Sequence, residues 1–152
     1  MMSNPESPSE ESFHLDFFHP DGVTKLERPL FADAVSAGFP SPAEDYIDKK
    51  LDLNQYLVKR PSSTFFVRVS GQSMINVGIH DGDLLIVDRS STVEDNKVVI
   101  GVVDGDFTVK RIRKKGQRVF LQPENPAYKE IEISPGMDFS IWGVVTFVVH
   151  KL

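Results

Sequence analysis

A 152-residue chain without cysteine must find any nucleophile among oxygen and nitrogen groups, and it has no thiolate zinc site or disulfide. Two of its residues have settings that suit catalysis. The first is Lys110. Asp104-Gly105 separates Val98–Val103 from Asp106–Ile112, and Asp-Gly between apolar runs is a strong signal for a two-residue hairpin turn. That turn sets Val103 opposite Asp106, Val102 opposite Phe107, Gly101 opposite Thr108, Ile100 opposite Val109 and Val99 opposite Lys110. Alternation then gathers Ile100, Val102, Phe107 and Val109 on a core face, and Val99, Gly101, Val103, Thr108 and Lys110 on the other. A lysine among apolar neighbours loses the solvation of its ammonium, which lowers its pKa from ~10.4, and a neutral amine at pH 7 is a general base. Reaching about 7.5 costs on the order of 4 kcal/mol. The same register also fits a lysine that carries its charge off an edge strand into water.

The second residue is Ser73, in Ser70-Gly71-Gln72-Ser73-Met74 directly after the apolar run Phe65–Val69. A sharp turn at Gly71 would point Ser73 out of the sheet and leave the backbone N–H groups of Ser73 and Met74 free to hold an oxyanion. Strand, glycine turn and serine also describe many ordinary turns. No histidine has a comparable setting: His14 and His19 lie near the start, His80 precedes Asp81-Gly82, and His150 is close to the end. A Ser-Lys dyad therefore fits better than a Ser-His-Asp triad. His14, Asp16, His19 and Asp21 are close in sequence but sit in a stretch that imposes no geometry, so no metal and no cofactor is expected.

The elements that must hold these residues are short β-strands. Phe65–Val69, Leu84–Val87, Val98–Val103, Phe107–Ile112, Arg118–Leu121, Ile131–Ile133 and Ile141–Val149 are β-branched or aromatic runs divided by Gly, Pro and Asp-Gly, which predicts a mostly β, antiparallel domain over 41–152. Two short helices are expected ahead of them. Ser41-Pro42-Ala43-Glu44 is a capping box that starts one to about Lys50, and Asp52 caps a second over Leu53–Val58, closed by Pro61. Residues 1–40 read as an acidic arm, flexible to about Asp21, in which Phe13, Phe17 and Phe18 require a surface on this chain or on a partner. The apolar last strand with Trp142 is explained by core burial, with a dimer interface as the alternative.

Charge narrows the partners. Seven acids against two bases in residues 1–40 account for the whole net charge of -5, leaving a neutral body. Direct nucleic-acid binding is not expected, since Arg111, Arg113, Lys114, Lys115 and Arg118 flank a predicted turn at Gly116 and read as a solvated loop tip. No apolar run approaches the ~20 residues of a membrane span and the first residues lack a secretory pattern, so a cytoplasmic protein is expected.

Several separated blocks, in order, resemble UmuD proteins of the LexA and phage-repressor type of self-cleaving Ser-Lys peptidases (peptidase S24 type). They are Ala37-Gly38-Phe39-Pro40-Ser41-Pro42, Leu51-Asp52-Leu53-Asn54, Ser70 to Ile75, Gly78 to Asp88 and Val103 to Lys110. The resemblance covers about 30–149. It implies a single LexA/signal-peptidase-like β-domain, with Ser73 as nucleophile, Lys110 as general base and Ala37–Gly38 as the scissile bond. It also implies a homodimer, cleavage stimulated by RecA filaments on single-stranded DNA, and a product that joins a UmuC-like Y-family polymerase in translesion synthesis. The stretch before Ala37 is longer than is usual for UmuD, and residues 1–37 are too short for a LexA-type DNA-binding domain. The competing readings are a non-catalytic dimeric accessory module and, less favoured, a repressor.

Overall fold

A computed structural model describes residues 16–20, 25, 27–31, 37–38 and 47–152. Its centre is an eight-stranded sheet in which every neighbouring pair is antiparallel. In chain order the strands of the molecule are β1 (Asp16–Phe18), β2 (Glu27–Phe31), β3 (Ile47–Asp52), β4 (Thr64–Arg68), β5 (Leu84–Asp88), β6 (Val98–Val103), β7 (Asp106–Lys115), β8 (Arg118–Gln122), β9 (Ile131–Ile133) and β10 (Phe139–Val149). The sheet order is β1-β4-β5-β10-β6-β7-β8-β9, and β2 with β3 forms a separate two-stranded sheet.

The β6–β7 hairpin has the register that Asp104-Gly105 dictates, from Val103 opposite Asp106 to Val99 opposite Lys110. Both turn residues have positive φ, 48° and 88°, as a type I′ turn demands. Alternation sends the two sides of β6 into different apolar clusters. Ile100 joins Val67, Val69, Met74, Ile79, Leu85, Val87 and Val109, while Val99 joins Ile112 and Val144. Fully burying a Leu or Ile side chain contributes on the order of 2 kcal/mol, so Leu85, Ile86, Ile100, Ile112 and Leu121 anchor this arrangement.

Several expectations are corrected. The face drawn from Ile100 to Phe107 is core only at Ile100 and Val109, both fully buried; toward the turn it is only partly covered, with Val102 half-buried and Phe107 against the rings of Phe17 and Trp142 instead of inside the aliphatic core. Phe107 stays 36% exposed. Residues 47–50, expected in the first helix, are strand: β3 pairs with β2, and cross-strand hydrogen bonds override a local capping signal. The Ser41-Pro42-Ala43-Glu44 box itself lies outside the described residues. The second helix forms as α1 (Leu53–Leu57), capped by Asp52, whose carboxylate accepts from the Asn54 N–H at 2.9 Å. Asp16–Phe18, expected within a flexible stretch, instead extends the sheet along β4.

The apolar last strand is central in the sheet order, with β5 on one side and β6 on the other. Core burial explains only part of its composition: Gly143 and Val144 are buried, Ile141, Trp142 and Val145 are partly buried against the core, and Val148 and Val149 stay exposed. At its bulge between Ile141 and Gly143, a Cβ on Gly143 would meet Val87 Cγ1 at 2.5 Å, so only glycine allows the two strands this approach. Among the described residues no helix is long and apolar enough to cross a membrane.

Candidate active site

β4 delivers the chain to the Ser70–Ser73 turn, and β7 delivers Lys110 to face it. Gly71 adopts φ 93°, and its N–H donates to Asp81 Oδ1 at 2.8 Å. Past the turn, Met74 is a buried member of the core and a 3-10 turn runs over Ile75–Val77. From the other side the Glu124 N–H donates to the Ser73 carbonyl at 2.8 Å, and Asn125 Nδ2 donates to the Gln72 carbonyl at 2.8 Å. The turn that carries the serine is thus held by hydrogen bonds from two separate loops, through the Asp81 and Asn125 side chains and the Glu124 backbone.

Lys110 is 7% exposed, and its Nζ has three oxygen neighbours: Ser73 Oγ at 3.0 Å, Thr108 Oγ1 at 2.9 Å and the Val109 carbonyl at 3.0 Å. Burial lowers its pKa from 10.5 to about 8. At that value about a tenth of the molecules carry a neutral Lys110 at pH 7 and about half at pH 8. A neutral amine has two N–H groups and one lone pair, so Thr108 Oγ1 and the Val109 carbonyl can accept while the Ser73 hydroxyl donates to Nζ. Among the described residues, no backbone carbonyl accepts from the backbone N–H of Ser73 or Met74.

A cleft of about 160 Å³ opens over the pair, bounded by the Ser70–Ser73 turn on one side and by Phe107, Thr108, Lys110 and Tyr128 on the other. Phe107 continues into an aromatic group: Phe17 of β1 lies 5.2 Å from it and 4.8 Å from Trp142, ring centre to ring centre. Phe17 therefore lies on this chain's own body, next to the cleft; Phe18 is half exposed and Phe13 is outside the described residues. A larger open groove of about 340 Å³ shares Tyr128 with this cleft and is otherwise lined by residues such as Asn76, Gln122, Glu124 and Glu130, without Ser73 or Lys110.

The sequence-predicted residues are not all brought together. Ser73 and Lys110, 37 positions apart, meet. Ala37 and Gly38 are exposed, and nothing stands within 4 Å of where a Gly38 Cβ would be, so their bond is in the open here. Of the four residues set aside as metal ligands, His14 and Asp21 fall outside the described residues, and His19 Nδ1 sits 3.0 Å from the Pro20 carbonyl. The basic run is largely engaged: Arg111 with Glu124 at 2.5 Å, Arg113 with Asp95 at 3.7 Å and Arg118 with Glu132 at 2.8 Å. Such pairing neutralises the charge a phosphate would need. Thr108 is the site residue that the sequence placed but gave no role; its position two residues before Lys110 on the same strand face was the available signal.

The family described as Peptidase S24-like matches residues 29–146, most of the chain and both members of the pair. The chain belongs to this family. It is 45% identical to Protein ImpA of Escherichia coli over 138 residues, covering 87% of this chain and 90% of that one. It is 47% identical to Protein SamA of Salmonella typhimurium over 123 residues, covering 81% and 85%. A third relative, LexA repressor 1 of Geobacter sulfurreducens, is 39% identical over 130 residues, 85% of this chain and 63% of the repressor. The S24 match and the ImpA and SamA likeness bear out a UmuD-like member with a mostly β S24 domain. A serine-peptidase kind of activity comes with membership of the S24 family.

Proposed function

We propose that this protein is a self-cleaving serine peptidase of the SOS response that cuts its own Ala37–Gly38 bond with a Ser73–Lys110 dyad. The observation that supports the reading most is the Nζ to Oγ separation of 3.0 Å at a buried lysine that has no carboxylate partner among the described residues. Neutral Lys110 takes the hydroxyl proton as Ser73 Oγ attacks the Ala37 carbonyl carbon, and the Ser73 and Met74 N–H groups hold the oxyanion. The protonated lysine then gives its proton to the Gly38 nitrogen as the peptide C–N bond breaks. A water molecule, deprotonated by Lys110, hydrolyses the acyl-enzyme and regenerates the serine.

The bond must first enter the cleft. The 35 residues from Gly38 to Ser73 can span roughly 100 Å when extended, so the chain's own cleft and a dimer partner's cleft are both within reach. Small Ala37 and exposed Gly38 suit a narrow slot that accepts extended main chain. A RecA filament on single-stranded DNA would act by favouring the docked arm, raising the reactive fraction without new chemistry. Residues 38–152 would then serve a UmuC-like Y-family polymerase as a dimeric accessory subunit.

The test is to incubate the purified chain with and without activated RecA filaments and to sequence the new N-terminus. A product that begins at Gly38, formed faster with filaments and absent from Ser73→Ala, is the expected result. A product that persists in Ser73→Ala removes the dyad. A chain that supports damage-induced mutagenesis without any cleavage favours the non-catalytic accessory reading.

A further inference from the structure

The antiparallel pairing of β10 with β5 sets Val149 opposite Leu84, so the next residue out, His150, arrives beside Asp83 at the mouth of the His80–Asp83 turn. Asp83 is 3% exposed, and its Oδ1 lies 2.5 Å from His150 Nδ1. Its Oδ2 accepts from the His80 backbone N–H at 2.7 Å and lies 3.7 Å from His80 Nδ1. The two imidazole rings face each other with centres 4.7 Å apart, and both are about half exposed. One ligand atom from each of the three side chains falls within 4.8 Å of the others.

We propose that His80, Asp83 and His150 bind a late first-row divalent cation of the Zn²⁺ or Ni²⁺ class. Two imidazole nitrogens and one carboxylate form a donor set suited to these ions, whereas Mg²⁺ and Ca²⁺ select oxygen. Zn²⁺ with ligand bonds of ~2.0–2.2 Å needs its donors about 3.4 Å apart, which modest rotations of the two half-exposed rings supply. The ion would also compensate a buried carboxylate whose charge partners, among the described residues, are these two imidazoles. Asp83 is the fixed element, since its backbone carbonyl accepts from the Val69 N–H at 3.0 Å. The same turn is tied to the segment that leads into Ser73, through Gly82 N–H to the Val69 carbonyl and Gly71 N–H to Asp81. A bound cation would thus brace the base of the Ser73 turn through these hydrogen bonds. The site stands independently of the self-cleavage reading.

The test is calorimetric titration of the untagged full-length chain with Zn²⁺, repeated with Mg²⁺, on the native sequence, His80→Gln, His150→Gln and the double variant His14→Gln/His19→Gln. The expected result is one Zn²⁺ per chain, no Mg²⁺ uptake, and affinity weakened about tenfold or more by each of His80→Gln and His150→Gln. The double variant should bind as the native chain does. Circular dichroism of the two single variants, whose altered side chains are half exposed, should be unchanged. No Zn²⁺ uptake, equal affinity in the single variants, or equal weakening in the double variant would overturn the assignment.

Discussion

Lys110 and Asp88 are equally buried, each 7% exposed, yet their surroundings treat charge in opposite ways. Asp88 ends β5 inside a ring of donors: Ser63 Oγ, Ser90 N–H and Ser90 Oγ reach Oδ1 at 2.7–2.9 Å, while Arg60 and Ser91 reach Oδ2 at 2.8 and 2.9 Å. Burial alone would raise its pKa, but the hydrogen bonds from Ser90, Ser63 and Ser91 outweigh it and hold the carboxyl well below the ordinary carboxylate range. Among the described residues, the hydrogen-bond partners of Lys110 Nζ are neutral oxygens, and burial pushes its pKa down to about 8. Where a buried charge is fully satisfied, the site is a pin. Where it is left uncompensated, burial shifts the group toward its neutral form.

Substitution at Lys110 should separate these two roles most sharply. Lys110→Ala and Lys110→Arg are both expected to lower the self-cleavage rate by on the order of 10³-fold, the arginine because a guanidinium does not give up its proton. Gel densitometry of the processed band reads this, and an active Lys110→Arg would end the general-base role. Stability should move with opposite signs at the two positions. Lys110→Met removes a desolvation cost of about 3 kcal/mol and should raise the urea midpoint at pH 7. Asp88→Asn removes the charge that five donors address and should lower stability by about 2–4 kcal/mol.

The pH dependences sharpen the contrast further. Lys110 has a folded pKa below its unfolded value, so between pH about 8 and 10.5 the unfolded chain binds more protons and its contribution to stability rises with pH. Lys110→Met should flatten that rise. Asp88 has a depressed folded pKa, so its contribution is present above about pH 4 and is lost as pH falls below it; the gap between the native chain and Asp88→Asn should close there. The cleavage rate should climb about tenfold per pH unit up to about 8 and then level. The smallest effect is expected from Thr108→Val, which keeps the shape but removes one acceptor of Nζ. It should slow cleavage about tenfold and change stability by less than about 1 kcal/mol. An unchanged rate would leave Val109 and Ser73 as sufficient to aim the lysine.

Local physics wrote much of this protein into its sequence. Asp104-Gly105 set the β6–β7 register because a type I′ turn needs two residues tolerant of positive φ, and that register alone placed Lys110 opposite Val99. Asp52 determined the start of α1 through a side-chain cap two residues away. Tertiary structure decided what depends on distant partners. The 47–50 stretch became strand because β2 was there to pair with it, and the apolar last run took a central place only because β5 and β6 lie on either side. The hairpin register left Lys110 free to reach water or to be buried. The Ser70–Ser73 turn, held by Asp81, Glu124 and Asn125 from other loops, made it buried and brought Oγ to Nζ. Desolvation is a property of everything packed around an atom, so no local run of residues can specify it.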